Sequence, residues 1–200
     1  MRFGESGPNQ LLTQSGIVDL NAQLGAAGSR EAAQAVGEAA NTIPSPGGGE
    51  RIVSHTSGNI LLHFIFSAHG RRALIKLDFR ADLFAYLSGI IREMDATALI
   101  INGTTDHVHM LVRIRPAQSS AQIARVVKAN SSRWVHEKWS RDFAWQTGYG
   151  VFSVSESNAA AVTKYIAEQE EHHLKHSFQE EFVAFLKKNN VAYDERYIWD

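Results

Sequence analysis

The 200-residue sequence contains no cysteine, which excludes disulfides, cysteine-bound zinc and thiol catalysis, and which agrees with a cytoplasmic location. No apolar run approaches the roughly eighteen residues that a membrane-spanning helix needs. The opening Met1-Arg2-Phe3-Gly4-Glu5 has no basic segment leading into an apolar one, so export is not expected either. Large apolar side chains are thin in residues 1–50, which are rich in Gly, Ala, Ser, Gln and Asn and end in the breaker Pro44-Ser45-Pro46-Gly47-Gly48-Gly49. Within them, residues 29–40 read as a weak alanine-rich helix with little to bury. The expected organisation is a flexible extension over 1–53 followed by one globular domain over 54–200.

Net charge is also nearly absent, at -1, but the charges are unevenly spread. Residues 1–50 carry 2 basic and 5 acidic side chains, residues 51–141 carry 13 and 6, and residues 142–200 carry 5 and 10. A basic middle beside an acidic end suits a polyanion-binding face on an otherwise solvated protein.

From residue 54 the pattern is that of an α+β domain. Ile60 to Ser67 is an apolar, β-prone run, and Asp78 to Met94 has apolar residues at helical spacing. Thr97 to Asn102 and His107 to Ile114 read as a hairpin joined by Gly103-Thr104-Thr105-Asp106. Ser119 to Trp139 reads as a helix opened by a capping box at Ser119 and Gln122. The alternation from Phe143 to Val154 predicts a strand or hairpin, and helices follow over Asn158–His172 and Phe178–Lys188. The order β-α-β-β-α-β-α-α predicts a ferredoxin-like, RRM-like antiparallel sheet with helices on one face, followed by C-terminal helices.

The segment Asp106-His107-Val108-His109-Met110-Leu111-Val112 carries the most chemistry. On a strand, His107 and His109 project to one face while Val108 and Met110 enter the core. Two neutral imidazoles on a rigid sheet make half of a divalent metal site. The spacing alone leaves ligands and structural histidines equally open. A histidine-triad nucleotide hydrolase needs a third histidine at 111, which is Leu, and a structural zinc site needs two further close Cys or His.

A second constellation lies in Thr163-Lys164-Tyr165-Ile166-Ala167-Glu168-Gln169-Glu170-Glu171-His172-His173. Tyr165 and Gln169, four apart, share a helix face. Gln169 offers a carbonyl oxygen, a hard donor for Mg²⁺ or Mn²⁺ that complements two imidazoles. His172 falls near the same face and reads as a solvated or DNA-facing residue.

With these residues in view, the chain resembles the HUH-type single-tyrosine transposases of bacterial insertion sequences, and among them the REP-associated tyrosine transposases. The resemblance runs from His55 to Trp199. It rests on Asn102-Gly103, the two-histidine strand, Lys128-Ala129-Asn130-Ser131-Ser132 and the run Gly148 to Ser155. Tyr165-Ile166 with Gln169 to His173, and Tyr193 to Tyr197, complete it. It implies that His107, His109 and Gln169 bind Mg²⁺ or Mn²⁺ and that Tyr165 is the nucleophile. It also implies a single-stranded, hairpin-containing DNA substrate and a homodimer in which each site borrows the partner's tyrosine helix. Residues 1–50 have no counterpart in it.

Candidate DNA contacts follow the histidine strand: Arg113 and Arg115, then Arg125, Lys128 and Arg133, with Trp134, Trp139, Trp145 and Tyr149 interspersed. Cationic side chains neutralise phosphates and aromatics stack on bases. Trp134, spaced with Ile123 and Val127, reads as core instead. A relaxase-like nickase shares the chemistry but usually comes with larger partner domains. A non-catalytic RRM-like module would place aromatics on its central strands and has no use for Tyr165 with Gln169.

Overall fold

Four β-prone segments form a four-stranded antiparallel sheet in the computed structural model, which describes residues 57–199. The strands are β1 (Ile60–Ser67), β2 (Thr97–Gly103), β3 (His107–Ile114) and β4 (Gly150–Val154), in the order β2-β3-β1-β4. Two helices, α1 (Leu77–Glu93) and α2 (Ser120–Lys138), form the crossovers, which gives the expected ferredoxin-like α+β topology. Three shorter helices follow: α3 (Ala159–Ala167), α4 (Gln169–His173) and α5 (Phe178–Lys188). The expected extension over 1–53 lies outside the described residues.

The two-residue period of the strands divides the sheet into unlike faces. Phe64, Phe66, Val108, Met110, Val112 and Ile114 point to one side and join α1 and α2 in the main core. α1 contributes Phe79, Leu83, Leu87, Ile90 and Ile91, and α2 contributes Ile123, Val127, Trp134 and Val135. Trp134 is buried here, stacked on Tyr86 with ring centroids 4.8 Å apart. On the other side, Ile65 and Phe152 meet Phe178, Phe182 and Leu186 of α5, while Leu61 and Leu111 meet Ile166 of α3. That second face also carries the histidines.

Helix caps match the sequence in part. The Ser119 hydroxyl accepts from the Gln122 N–H at 3.1 Å, and a reciprocal capping box opens α5 through Ser177 and Glu180. Two expectations change. Of the strand or hairpin expected over Phe143–Val154, regular strand begins only at Gly150. Before it, Phe143 and Trp145 turn into the main core, and only Ala68 and Trp145 form a bridge. The helix expected over Asn158–His172 is broken at Glu168 (φ -93°, ψ 17°). Asn102 supplies the reason: its side-chain amide donates to the carbonyls of Ile166 (2.9 Å) and Ala167 (3.0 Å), which takes up acceptors at the end of α3.

Candidate metal centre and tyrosine

His107 opens β3 at the end of a tight hairpin. A Cβ on Gly103 would lie 2.2 Å from the His107 carbonyl oxygen and 2.8 Å from Val108 Cα, so only glycine lets these strands close. The same turn fixes the imidazole. Asp106 Oδ1 accepts from His107 Nδ1 at 2.7 Å and from the Thr104 hydroxyl at 2.6 Å. Burial alone would raise the Asp106 carboxyl, but these hydrogen bonds outweigh it and hold it below its ordinary value. The tautomer that Asp106 selects leaves the His107 Nε2 lone pair facing inward.

His109, two residues on, is wholly buried on the same face. Its Nδ1 lies 3.0 Å from Nε2 of His63, which stands diagonally across on β1, and its own Nε2 has no hydrogen-bond partner among the described residues. Burial pushes His63 down to about 4, and burial followed by neighbouring imidazoles pushes His109 well below its ordinary value. Both rings are neutral at physiological pH.

Gln169 and His173 approach from α4. His173 Nδ1 donates to the His176 carbonyl at 2.9 Å, which turns its Nε2 toward the site. Gln169 is buried, with Oε1 3.3 Å from His107 Nε2 and 3.0 Å from His173 Nε2. Its amide nitrogen donates to Glu181 Oε1 at 3.1 Å. Glu181, from α5, sets its other oxygen 3.4 Å from His109 Nε2 and 3.2 Å from His173 Nε2. That Oε2 has no hydrogen-bond partner, and burial pushes the carboxyl up to about 8.

Three imidazoles therefore have Nδ1 engaged and Nε2 directed to one place, where they meet oxygen acceptors. The donor atoms of His107, His109, His173 and Glu181 all lie within 4.8 Å of one another. Lone pairs facing lone pairs in a buried space call for positive charge between them, a proton held at Glu181 or a metal ion shared by the whole set. Neighbouring donors on an octahedral ion with bonds of about 2.1 Å sit about 3.0 Å apart, close to the separations found here. The residues fit a divalent metal.

Tyr165 completes the site from α3. Its ring centroid lies 6.0 Å from that of His109 and 6.4 Å from that of His63, with His172 at 5.3 Å and Phe185 at 5.8 Å. The phenolic oxygen is buried and has no hydrogen-bond partner among the described residues. A cavity of about 540 Å³ lies beside it, lined by His63, His172, Glu181, Phe185 and Lys188 among others. Tyr165 and Gln169, predicted to share one helix, thus sit on successive short helices and still converge.

The basic residues separate. Arg113, on the histidine face, bonds Asn59 at 3.0 Å and pairs with Glu156, whereas Arg115 pairs with Asp95. Arg125 and Lys128 line a second cavity of about 440 Å³ with Trp145 and Tyr149. Lys128 Nζ donates to the carbonyls of Thr147 and Gly148, and burial lowers it to about 8. Arg133 bonds Asn130 on its own helix at 3.2 Å. Sequence reasoning gave no role to His63, Asp106, His173 or Glu181. Asp106 and His173 stand inside the two motifs without a role of their own, and Glu181 left a trace as a carboxylate on the apolar stripe of Phe178, Phe182 and Phe185.

Comparison with known proteins yields a consistent set of relatives. Residues 56–169, more than half of the chain, match the family model described as "Transposase IS200 like". The transposases for insertion sequence element IS200 of Salmonella typhimurium and Salmonella typhi are each 28% identical over 130 residues, spanning 61% of this chain and 84% of theirs. A putative transposase from Deinococcus radiodurans is 20% identical with a TM-score of 0.48, covering 63% of this chain and 98% of its own. A REP-associated tyrosine transposase bound to a REP hairpin is 13% identical with a TM-score of 0.48, covering 63% and 74%. Among the described residues no helix is long and apolar enough to cross a membrane.

Proposed function

Because the chain belongs to the family of IS200-like transposases, whose activity is DNA transposition, we propose that it cuts and rejoins single-stranded DNA through a covalent 5'-phosphotyrosine at Tyr165. The observation that carries this reading is the buried, unpartnered Tyr165 hydroxyl beside a converging set of metal donors. His107, His109 and Gln169 would hold Mg²⁺ or Mn²⁺, which supplies charge neutralisation at the scissile phosphate.

Each protein group then has a definite task. Asp106 and His63 fix the orientations of His107 and His109 through their Nδ1 atoms. His172, Phe185 and His63 hold the Tyr165 ring edge-on, leaving few positions for the phenolic oxygen. In the reaction, Tyr165 Oη bonds to phosphorus and the bond to the 3'-oxygen breaks. The phenolic proton is lost and the 3'-oxygen leaves as a hydroxyl, so the step balances without a co-reactant. The phosphotyrosine conserves the energy of the cut bond, since a phenolate of unperturbed pKa about 10 leaves readily when another strand's hydroxyl attacks. The resemblance to the REP-associated tyrosine transposases implies that the single strand acted on carries a hairpin.

Tyr165→Phe removes only the phenolic oxygen. The variant should bind single-stranded oligonucleotide like the parent yet form no protein–DNA adduct on a denaturing gel with Mn²⁺. An adduct that persists would move the nucleophile elsewhere. The resemblance implies a homodimer with shared sites, whereas the contact of Tyr165 with its own chain's His109 favours a site built within one chain. Mixing inactive His107→Ala/His109→Ala protein with inactive Tyr165→Phe protein separates the two. Restored cleavage after subunit exchange establishes sharing, and continued inactivity establishes the single-chain site.

A further inference from the structure

We propose that Glu181 is a ligand of the same metal, so that the ion fastens α5 to the histidine face of the sheet. This inference rests on the metal reading above and extends it to a residue beyond 56–169, the segment that matches the family.

Three observations converge on Glu181. It is 5% exposed, yet among the described residues no cationic Lys or Arg is an ion-pair partner of it; the partners are His109, His172 and His173. Its two oxygens are differentiated: Oε1 accepts from the Gln169 amide at 3.1 Å, and Oε2 has no hydrogen-bond partner. The second orphaned atom of the cluster, His109 Nε2, lies 3.4 Å from that Oε2. A buried carboxyl group with one oxygen held and the other aimed at an imidazole nitrogen that has no hydrogen-bond partner among the described residues has the arrangement of a metal ligand oriented by its neighbour.

Gln169 then acts twice, with Oε1 directed at the ion and its amide nitrogen steering Glu181. The carboxylate also suits the metal. Imidazoles and one amide oxygen bring no charge, and a carboxylate adds the hard anionic oxygen that Mg²⁺ and Mn²⁺ prefer. The consequence reaches α5 as a whole. Phe178 stacks on His107 at 4.4 Å and Phe182 packs at Gly150, where a Cβ would meet its ring at 2.6 Å. With Glu181 on the ion, the helix is held to the sheet by both apolar contacts and coordination, so metal and helix docking are coupled.

Isothermal titration of the full chain with Mn²⁺ tests this on wild type, Glu181→Gln and His107→Ala/His109→Ala, with circular dichroism confirming each fold. Glu181→Gln keeps the side chain's size and a carbonyl to accept from Gln169, so its affinity reports the carboxylate. Altering partners one shell further out typically costs 10–100-fold, so losing the charged donor should weaken Mn²⁺ at least ~10-fold. Wild-type affinity in Glu181→Gln, with binding lost in the double histidine variant, overturns the role of Glu181 and leaves the metal site intact. Wild-type affinity in the double histidine variant overturns the metal site and this inference with it. Hydrogen exchange on the unmutated protein needs no variant to fold. Protection of the 178–188 amides should rise on adding Mn²⁺, and unchanged protection there counts against the coupling.

Discussion

The two faces of this sheet come from the same strands and have opposite chemistry. On β3, Val108, Met110 and Val112 enter a continuous apolar core under α1 and α2, and each is fully buried. One residue out of phase, His107 and His109 are just as buried but stand among neutral imidazoles, an amide and a carboxylate. Burial stabilises the first face in proportion to the apolar area removed from water. On the second face it desolvates polar atoms, three of which, His109 Nε2, Glu181 Oε2 and the Tyr165 hydroxyl, find no hydrogen-bond partner among the described residues. Stability therefore resides mainly on one side of the strand and the proposed chemistry on the other. The second face keeps its shape because smaller apolar clusters, around Phe152 with Phe182 and around Leu111 with Ile166, flank the polar centre.

The largest expected effect breaks the comparison directly on β3. Met110→Ala should cost about 2–5 kcal/mol of unfolding free energy, the range for truncating a fully buried aliphatic side chain. His107→Leu, on the same strand, roughly conserves volume and leaves no cavity, so its main cost is the lost hydrogen bond to Asp106, about 1 kcal/mol. Asp106, the partner it leaves behind, is partly exposed and keeps its Thr104 hydrogen bond. Its cleavage activity should nevertheless vanish, whereas Met110→Ala should still cleave at temperatures where it is folded. Urea titrations and a gel assay for strand cleavage measure the two quantities separately. An apo-protein loss for His107→Leu as large as for Met110→Ala would show that the polar face also carries the fold.

Much of this division was legible in the sequence because it rests on period. Alternation placed Val108 and Met110 inward and paired His107 with His109, and helical spacing assigned Trp134 to the core. Contacts between distant segments had no such local signal. His63 reaches His109 only through the register that sets His63 opposite Leu111. The break at Glu168 depends on Asn102, more than sixty residues earlier, capping the end of α3. Glu181 enters the site because α5 docks on the sheet, and its position on an apolar stripe was the only hint. Phe143 and Trp145 misled for a related reason: two aromatics of equal parity suggest a strand, but here they anchor an irregular segment to the core.

The smallest expected effect concerns how far the division extends to DNA. Arg125 projects from α2, in the helix layer covering the core face, and is exposed. It lines the cavity near Tyr149, just before the edge strand β4, whereas Tyr165 and the metal donors lie across the sheet. A strand touching both would have to pass around the β4 edge. If Arg125 neutralises one phosphate on that path, Arg125→Ala should reduce the slope of log affinity against log salt by about 0.7, the value per contact for single strands. The cleavage rate at saturating DNA should stay unchanged, because Arg125 is in the opposite layer from the reacting phosphate. Fluorescence anisotropy at several salt concentrations gives the slope, and single-turnover cleavage gives the rate. An unchanged slope would confine DNA to the histidine face. A reduced rate at saturation would instead mean that the α2 layer contributes to catalysis, and the separation of the faces would fail at its weakest point.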